Sequence, residues 1–222
     1  MTIVRDHLHP TPHGIVAIVR LSTPPPDDLL AALLEARTSA LEVTLTTPGA
    51  EAAITRWRDL GPSALIGAGT VRTPDDARRA VAAGAQFLVT PTTSPAVLGV
   101  AAEARVPVLC GALTPTEIDT AWQHGAAAVK VFPVDALGGP AYVKAVQAPL
   151  PDVPLVPTGG IDAASALAYA ALGCHAVGVG SSLVSDTAVR DRDWEALRTR
   201  AADLVGAWHS GTARDRSGKE PR

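Results

Sequence analysis

The chain holds three lysines, Lys130, Lys144 and Lys219, and Lys130 stands where a lysine is least expected. It lies inside Ala126-Ala127-Ala128-Val129-Lys130-Val131-Phe132-Pro133, where every neighbour is apolar. An ammonium buried in such a run is costly unless it is paired or gives up its proton. The free amine is the nucleophile that attacks a ketone, and the Schiff base it forms is an electron sink. A lysine whose head snorkels to water at a strand edge would account for the same run. Glu42 sits in Leu41-Glu42-Val43-Thr44-Leu45, where alternation puts Glu42 and Thr44 on one side of a strand and three aliphatic residues on the other. A carboxylate turned toward a packed interior needs a partner or a task. It could carry protons for a Schiff-base lysine, or form a structural ion pair, with Arg20 as a candidate partner.

Two glycine-bearing stretches point to an anion. Thr158-Gly159-Gly160 and Gly178-Val179-Gly180-Ser181-Ser182 let backbone N–H groups approach a ligand closely, with helix N-termini to favour negative charge. Tight turns alone would also use glycine. The histidines are poorly placed for metal chemistry. His7, His9 and His13 fall in an N-terminal segment expected to be mobile, His124 at a helix end, and His175 at the start of a strand. No acidic pair with ligand spacing occurs at the strand ends, so no metal is expected.

The elements that must position these residues recur about every 20–25 positions as short runs rich in Val, Ile and Leu. They are Ile15–Val19, Leu41–Leu45, Ala64–Ala68, Phe87–Val89, Val106–Leu109, Ala127–Val131, Leu155–Val156 and Ala176–Val179. Nearly continuous apolar character marks parallel strands covered on both faces. Between them stand helix starts: Thr73-Pro74-Asp75-Asp76, Ser94-Pro95 and Thr114-Pro115-Thr116-Glu117, with Asp27-Asp28, Pro48-Gly49-Ala50-Glu51 and Asp162-Ala163. Helix stops follow at Gly84, Gly125 and Gly173. Eight strands alternating with eight helices read as an α/β protein, a single-domain (β/α)₈ TIM barrel, with a doubly wound open sheet as the structural alternative. Residues 1–13 would form an N-terminal segment, 14–208 the barrel and 209–222 a disordered tail, since the run from Ser210 on has no apolar residue beyond one Ala. In such a barrel the site lies at the C-terminal strand ends, which here carry Arg20, Glu42, Thr44, Thr70, Thr90, Lys130, Thr158 and Ser181.

Composition narrows the partners. A net charge of −3 over 222 residues gives no electrostatic case for nucleic acid. No apolar run approaches the ~20 residues that span a bilayer, and the first residues lack the apolar core of a signal peptide, so a cytoplasmic protein without membrane contact is expected. Cys110 and Cys174 lie in apolar runs and read as small buried hydrophobes in a reducing compartment.

Taken together, Leu41-Glu42-Val43-Thr44-Leu45, Ile66-Gly67-Ala68-Gly69-Thr70-Val71, Val129-Lys130-Val131-Phe132-Pro133 and Pro157-Thr158-Gly159-Gly160-Ile161 resemble, in order, the motifs of the 2-keto-3-deoxy-6-phosphogluconate (KDPG) and 4-hydroxy-2-oxoglutarate (KHG) aldolases, over about residues 13–186. The resemblance implies a class I aldolase that splits a phosphorylated keto-deoxy sugar acid into pyruvate and glyceraldehyde 3-phosphate, needs no metal or other cofactor, and forms a homotrimer. It implies Lys130 as the Schiff-base residue and Glu42 as general acid/base. Thr70, Pro91 and Phe132 would surround the pyruvate moiety, and Thr158, Gly159, Gly160, Gly180 and Ser181 the phosphate. One departure stands out: many members carry Arg directly after the second strand, where this chain has Thr46. Other members instead have an Arg ending the first strand, as Arg20 does here, and Arg20 is expected to take the substrate carboxylate. Aldolases for the 6-phosphogalactonate epimer share that Arg, so they stand as an alternative, as does a phosphosugar isomerase or epimerase on the same barrel. A sugar-phosphate binder without activity is a third reading, against which the Lys130–Glu42 pair argues.

Overall fold

The computed structural model describes residues 7–218, with side chains as far as Ala213. Eight strands, β1 (Gly14–Val19), β2 (Ala40–Thr44), β3 (Leu65–Gly69), β4 (Leu88–Val89), β5 (Val108–Ala112), β6 (Ala128–Val131), β7 (Leu155–Pro157) and β8 (Ala176–Val179), pair in parallel in the order β7-β6-β5-β4-β3-β2-β1-β8. A bridge between Thr158 and Gly178 closes the ring. The barrel therefore stands, and the open sheet falls. Outside β5, strand ends differ from the sequence expectation by at most one residue. The largest shift is at β5, which begins two residues later than expected, beyond Pro107, and runs three residues further, through Ala112.

Alternation sorts the side chains into two cores. Ile15, Ala17, Val19, Leu41 and Val43 point outward and pack under the helices. Val16, Ala40, Phe87, Val89, Leu109, Ala128, Val156 and Ala176 point inward and fill the barrel's lower part. The same period carries Glu42 and Lys130 inward one layer higher, above Ala40 and Ala128. The lower layer excludes water, so the next layer up is where charge can meet solvent.

The helices are α1 (Asp27–Glu35), α2 (Ala50–Leu60), α3 (Pro74–Ala82), α4 (Pro95–Glu103), α5 (Pro115–Gln123), α6 (Pro140–Gln147), α7 (Ala163–Ala171), α8 (Asp186–Arg190) and α9 (Trp194–Gly218). Thr73 with Asp76, Thr114 with Glu117, and Asp162 with Ser165 form reciprocal capping boxes, each satisfying helix N–H groups that have no partner within the helix. The described residues thus hold nine α-helices where eight were expected, because the short α8 intervenes after β8.

The tail expected to be disordered from residue 209 is helical through Gly218. Leu197, Ala201, Leu204, Trp208 and Gly211 are buried at alternating four- and three-residue spacing, one seam along α9. At Gly211 a Cβ would lie 2.4 Å from the Leu167 carbonyl oxygen of α7, so the missing side chain is what lets the two helices meet. The N-terminal segment, expected to be mobile, is also tied down. Leu8 N–H bonds to the Arg105 carbonyl at 2.8 Å, and the His13 carbonyl accepts from Ser39 at 2.9 Å. Among the described residues no helix is long and apolar enough to cross a membrane.

Candidate active site

At the C-terminal mouth of the barrel lies a cavity of about 280 Å³, lined by Arg20, Thr70, Pro91, Lys130, Phe132, Thr158, Gly159, Gly160, Gly180 and Ser181 among others. Of the residues expected at the site, Glu42, Thr44 and Thr90 do not line it and the others do. Glu42 lies directly behind: its Oε2 is 3.7 Å from Lys130 Nζ, with 1% of Glu42 and 6% of Lys130 exposed. β2 and β6 face each other across the ring, so the pair is made by barrel closure. Lys130 therefore does not snorkel, and the partner of Glu42 is Lys130. Arg20 instead stays exposed at the rim and donates from Nη2 to Thr70 Oγ1 at 3.3 Å. Lys130 Nζ also lies 5.5 Å from the centre of the Phe132 ring, within cation–π range.

The glycines of β3 explain how a carboxylate fits inside a packed barrel. A Cβ on Gly69 would fall 1.9 Å from Glu42 Oε1, and one on Gly67 would fall 2.5 Å from the Phe87 ring. Gly67 leaves room for the apolar plug, and Gly69 for the acid. Glu42 Oε1 is buried without a hydrogen-bond partner among the described residues. A buried carboxylate oxygen in that state is costly in a purely structural role. It is free to take a proton from something entering the cavity. Thr70, next in the chain, adopts φ +57°, strained for a β-branched residue. This turns its hydroxyl toward Arg20.

Two loops make the other wall. Gly159 and Gly160 both take positive φ, +107° and +64°. Successive residues of this kind can turn backbone N–H groups toward one point. Ser182 Oγ donates to the Ile161 carbonyl at 2.7 Å, tying the loop after β7 to the loop after β8. Ile18, Ile161, Gly178, Ser182 and Val184 complete the lining. Ile18 was legible as the residue alternating with Val16 on β1, whereas Ile161 and Val184 look like ordinary loop hydrophobes.

Two expected strand-end hydroxyls lie outside the cavity. Thr44 Oγ1 contacts the hydroxyls of Thr46 and Thr47, each at 3.1 Å. Thr90 donates to the Thr92 carbonyl at 2.8 Å and accepts from Gly111 N–H at 2.9 Å. Both are satisfied within the fold. Burial pushes the Cys110 thiol up and that of Cys174 to about 12, so neither is a nucleophile at neutral pH. Among the described residues no group of three His, Cys, Asp or Glu side chains comes close enough to hold a metal ion.

Such a barrel, with a charged pair sealed beneath its mouth and a glycine-rich wall beside it, has the construction of a barrel enzyme acting on a small anionic carbonyl compound. The chain belongs to the KDPG and KHG aldolase family, whose description, "Aldolase: KDPG and KHG aldolase", matches residues 14–199. It is 40% identical over 157 residues, 70% of this chain and 71% of the relative, to the 2-dehydro-3-deoxy-phosphogluconate aldolase of Pseudomonas aeruginosa. Among solved structures, one described as native KDPGal superposes with a TM-score of 0.83 at 32% identity, covering 92% of this chain and 98% of that one. The KDPG aldolase of Legionella pneumophila, solved with pyruvate captured as a covalent carbinolamine, superposes with a TM-score of 0.75 at 30% identity, covering 87% and 94%.

Proposed function

We propose that this protein cleaves 2-keto-3-deoxy-6-phosphogluconate to pyruvate and glyceraldehyde 3-phosphate through an imine on Lys130. The observation that carries this reading is the 3.7 Å approach of Lys130 Nζ to Glu42 Oε2 at the inner end of a cavity that otherwise offers hydroxyls, backbone N–H groups and one guanidinium. With the lysine's proton passed to Glu42, Nζ adds as the free amine to C2 of the ketone. Glu42 then gives the proton to the carbinolamine hydroxyl, which leaves as water to form the iminium. The C3–C4 bonding pair moves toward the iminium while Glu42 takes the C4 hydroxyl proton, and the aldehyde leaves. The carboxyl returns that proton to C3 of the enamine, and water releases pyruvate and the amine. Lys130 and Glu42 perform the chemistry in this reading. Arg20 grips the carboxylate, Thr70, Pro91 and Phe132 surround the pyruvyl end, and Thr158, Gly159, Gly160, Gly180 and Ser181 receive the phosphate.

Preference for the gluconate epimer is supported by Thr158-Gly159-Gly160 and Ser181, which together form one wall of the cavity. Turnover of the two epimeric 6-phosphates and of 4-hydroxy-2-oxoglutarate, assayed side by side, tests this. Faster cleavage of the galactonate epimer would reverse the assignment. Borohydride reduction in the presence of pyruvate tests the reaction class: a reduced pyruvyl adduct on Lys130 is expected, and an isomerase or epimerase would gain none. A homotrimer in the cytoplasm belongs to the same reading. Leu137, 43% exposed beyond the end of β6, offers apolar surface for such an assembly to cover. A sedimentation mass equal to one chain would remove the trimer.

A further inference from the structure

The geometry points to Thr47 as the positioning residue for Arg20, an inference that rests on the reading of Arg20 as the carboxylate ligand. Thr47 lines no part of the cavity and is 2% exposed. Its hydroxyl nevertheless touches the two backbone groups that flank Arg20. Thr47 Oγ1 lies 3.3 Å from the Val19 carbonyl and 3.1 Å from Leu21 N–H. A carbonyl can only accept and an N–H can only donate, so the directions are forced. Thr47 donates its single proton to Val19 and accepts from Leu21. Having no second proton, it must also accept from Thr44, 3.1 Å away. Thr44 has then spent its own proton and accepts from Thr46, also at 3.1 Å. The result is a directed chain, Thr46 to Thr44 to Thr47 to Val19, that begins at an exposed residue and ends on the peptide preceding Arg20.

β1 ends at Val19, so Arg20 leaves the barrel without further strand pairing. Its guanidinium is fixed at one end by Thr70 Oγ1 at 3.3 Å, and its backbone at the other by Thr47. An exposed arginine has many rotamers, and fixing its peptide on both sides cuts the entropy lost when it grips a ligand. Thr47 thereby belongs to the site without touching it. It assigns Thr46 a part as well: the first donor of the chain that steadies the arginine on the neighbouring strand.

Thr47→Val tests this, because valine keeps the β-branched shape and deletes the hydroxyl. A carboxylate held equally in ground and transition states contributes to KM and leaves kcat unchanged. The expected result is therefore a rise of about five- to tenfold in KM for the sugar acid and in the pyruvate inhibition constant, the loss that one or two neutral hydrogen bonds represent. kcat and the yield of borohydride-trapped adduct at saturating pyruvate should hold, and Thr47→Ser should restore the parent values. Should Thr47→Val fail to fold, Thr47→Ala, which leaves room for a water, is read the same way. A lowered melting temperature with KM and inhibition constant unchanged would overturn the proposal, as would a fall confined to kcat. Arg20→Ala is measured alongside. If it leaves pyruvate inhibition unchanged, the carboxylate reading itself fails. If it weakens pyruvate and Thr47→Val does not, only the role of Thr47 is lost. In the double variant, losses no greater than those of Arg20→Ala alone support the coupling, and additive losses refute it.

Discussion

At the scale of single residues, the chemistry rests on a charged pair whose removal must be separated from its structural cost. Deleting one member of a buried ion pair strands the other, typically at 3–5 kcal/mol, so alanine variants would confuse unfolding with lost catalysis. Lys130→Arg keeps a cation opposite Glu42 but cannot form the imine. A folded Lys130→Arg protein should show neither cleavage nor pyruvate trapping, and near-normal turnover in it would end the Schiff-base reading. Glu42→Gln keeps the volume and removes proton transfer, a step worth about 10²–10⁴-fold. That variant should still trap pyruvate slowly on Lys130 while cleavage is suppressed by such a factor; cleavage within about twofold of the parent would place the proton carrier elsewhere. Both residues were legible because each breaks the polarity of its own strand. Their pairing was legible only through the family resemblance, since nothing in one strand says what stands across the ring. Thr47 was invisible for a different reason: a threonine beside a strand end offers no contrast with its neighbours, and its worth lies in what it bonds to.

At the scale of the element, β3 shows one residue type used for two purposes. Gly67 and Gly69 alternate onto the barrel interior, one level apart, with Phe87 against the first and Glu42 against the second. Neither has a positive φ, so alanine is tolerated by the backbone and opposed only by its neighbour. Gly67→Ala should overpack the apolar plug and cost about 1–3 kcal/mol. Thermal denaturation reads that loss, and cleavage per folded molecule should change little. Gly69→Ala should instead displace the Glu42 carboxylate, so that cleavage falls toward the level of Glu42→Gln. Equal effects of the two substitutions on activity per folded molecule would refute this division. The strand Ala64–Ala68 was legible in the sequence, and the reason for the glycines at 67 and 69 was not, because each answers a side chain on another strand. Capping signals at Thr73, Thr114 and Asp162 were read correctly, since a cap is satisfied within four residues of itself.

At the scale of the whole molecule, the N-terminal face is where sequence reasoning fell shortest. The seam of α9 does not show in the sequence because two of its members, Ala201 and Gly211, are too small to register as a hydrophobic period. They pack because they are small. The N-terminal segment, β8 and α9 meet there around His175, whose ring lies edge-on to that of His13 at 5.5 Å, with the Trp208 ring 6.1 Å from His13 on the same side. Burial, and secondarily the nearness of His13, hold the His175 imidazole below the usual histidine value, opposed by a hydrogen bond to the Pro12 backbone. Its Nε2 is buried without a hydrogen-bond partner among the described residues. The sign of the pH effect follows from linkage. Between the depressed native value and the ordinary value of about 6.5 the unfolded chain binds more protons than the native one, so stability falls as pH drops below about 6.5. Above that range both states hold a neutral ring and the term vanishes. The acids held below their usual range, among them Asp27, Asp76, Glu117 and Asp162, add their own loss only in the ordinary carboxylate range of about 4 and below. Melting temperature measured from pH 7.5 to pH 5 should therefore decline in the parent protein, and the decline should be shallower in His175→Asn, which cannot take up a proton. Identical slopes in the two proteins would show that His175 charges as readily in the folded barrel as in the unfolded chain, and that the N-terminal face is open to water where the structure has it closed.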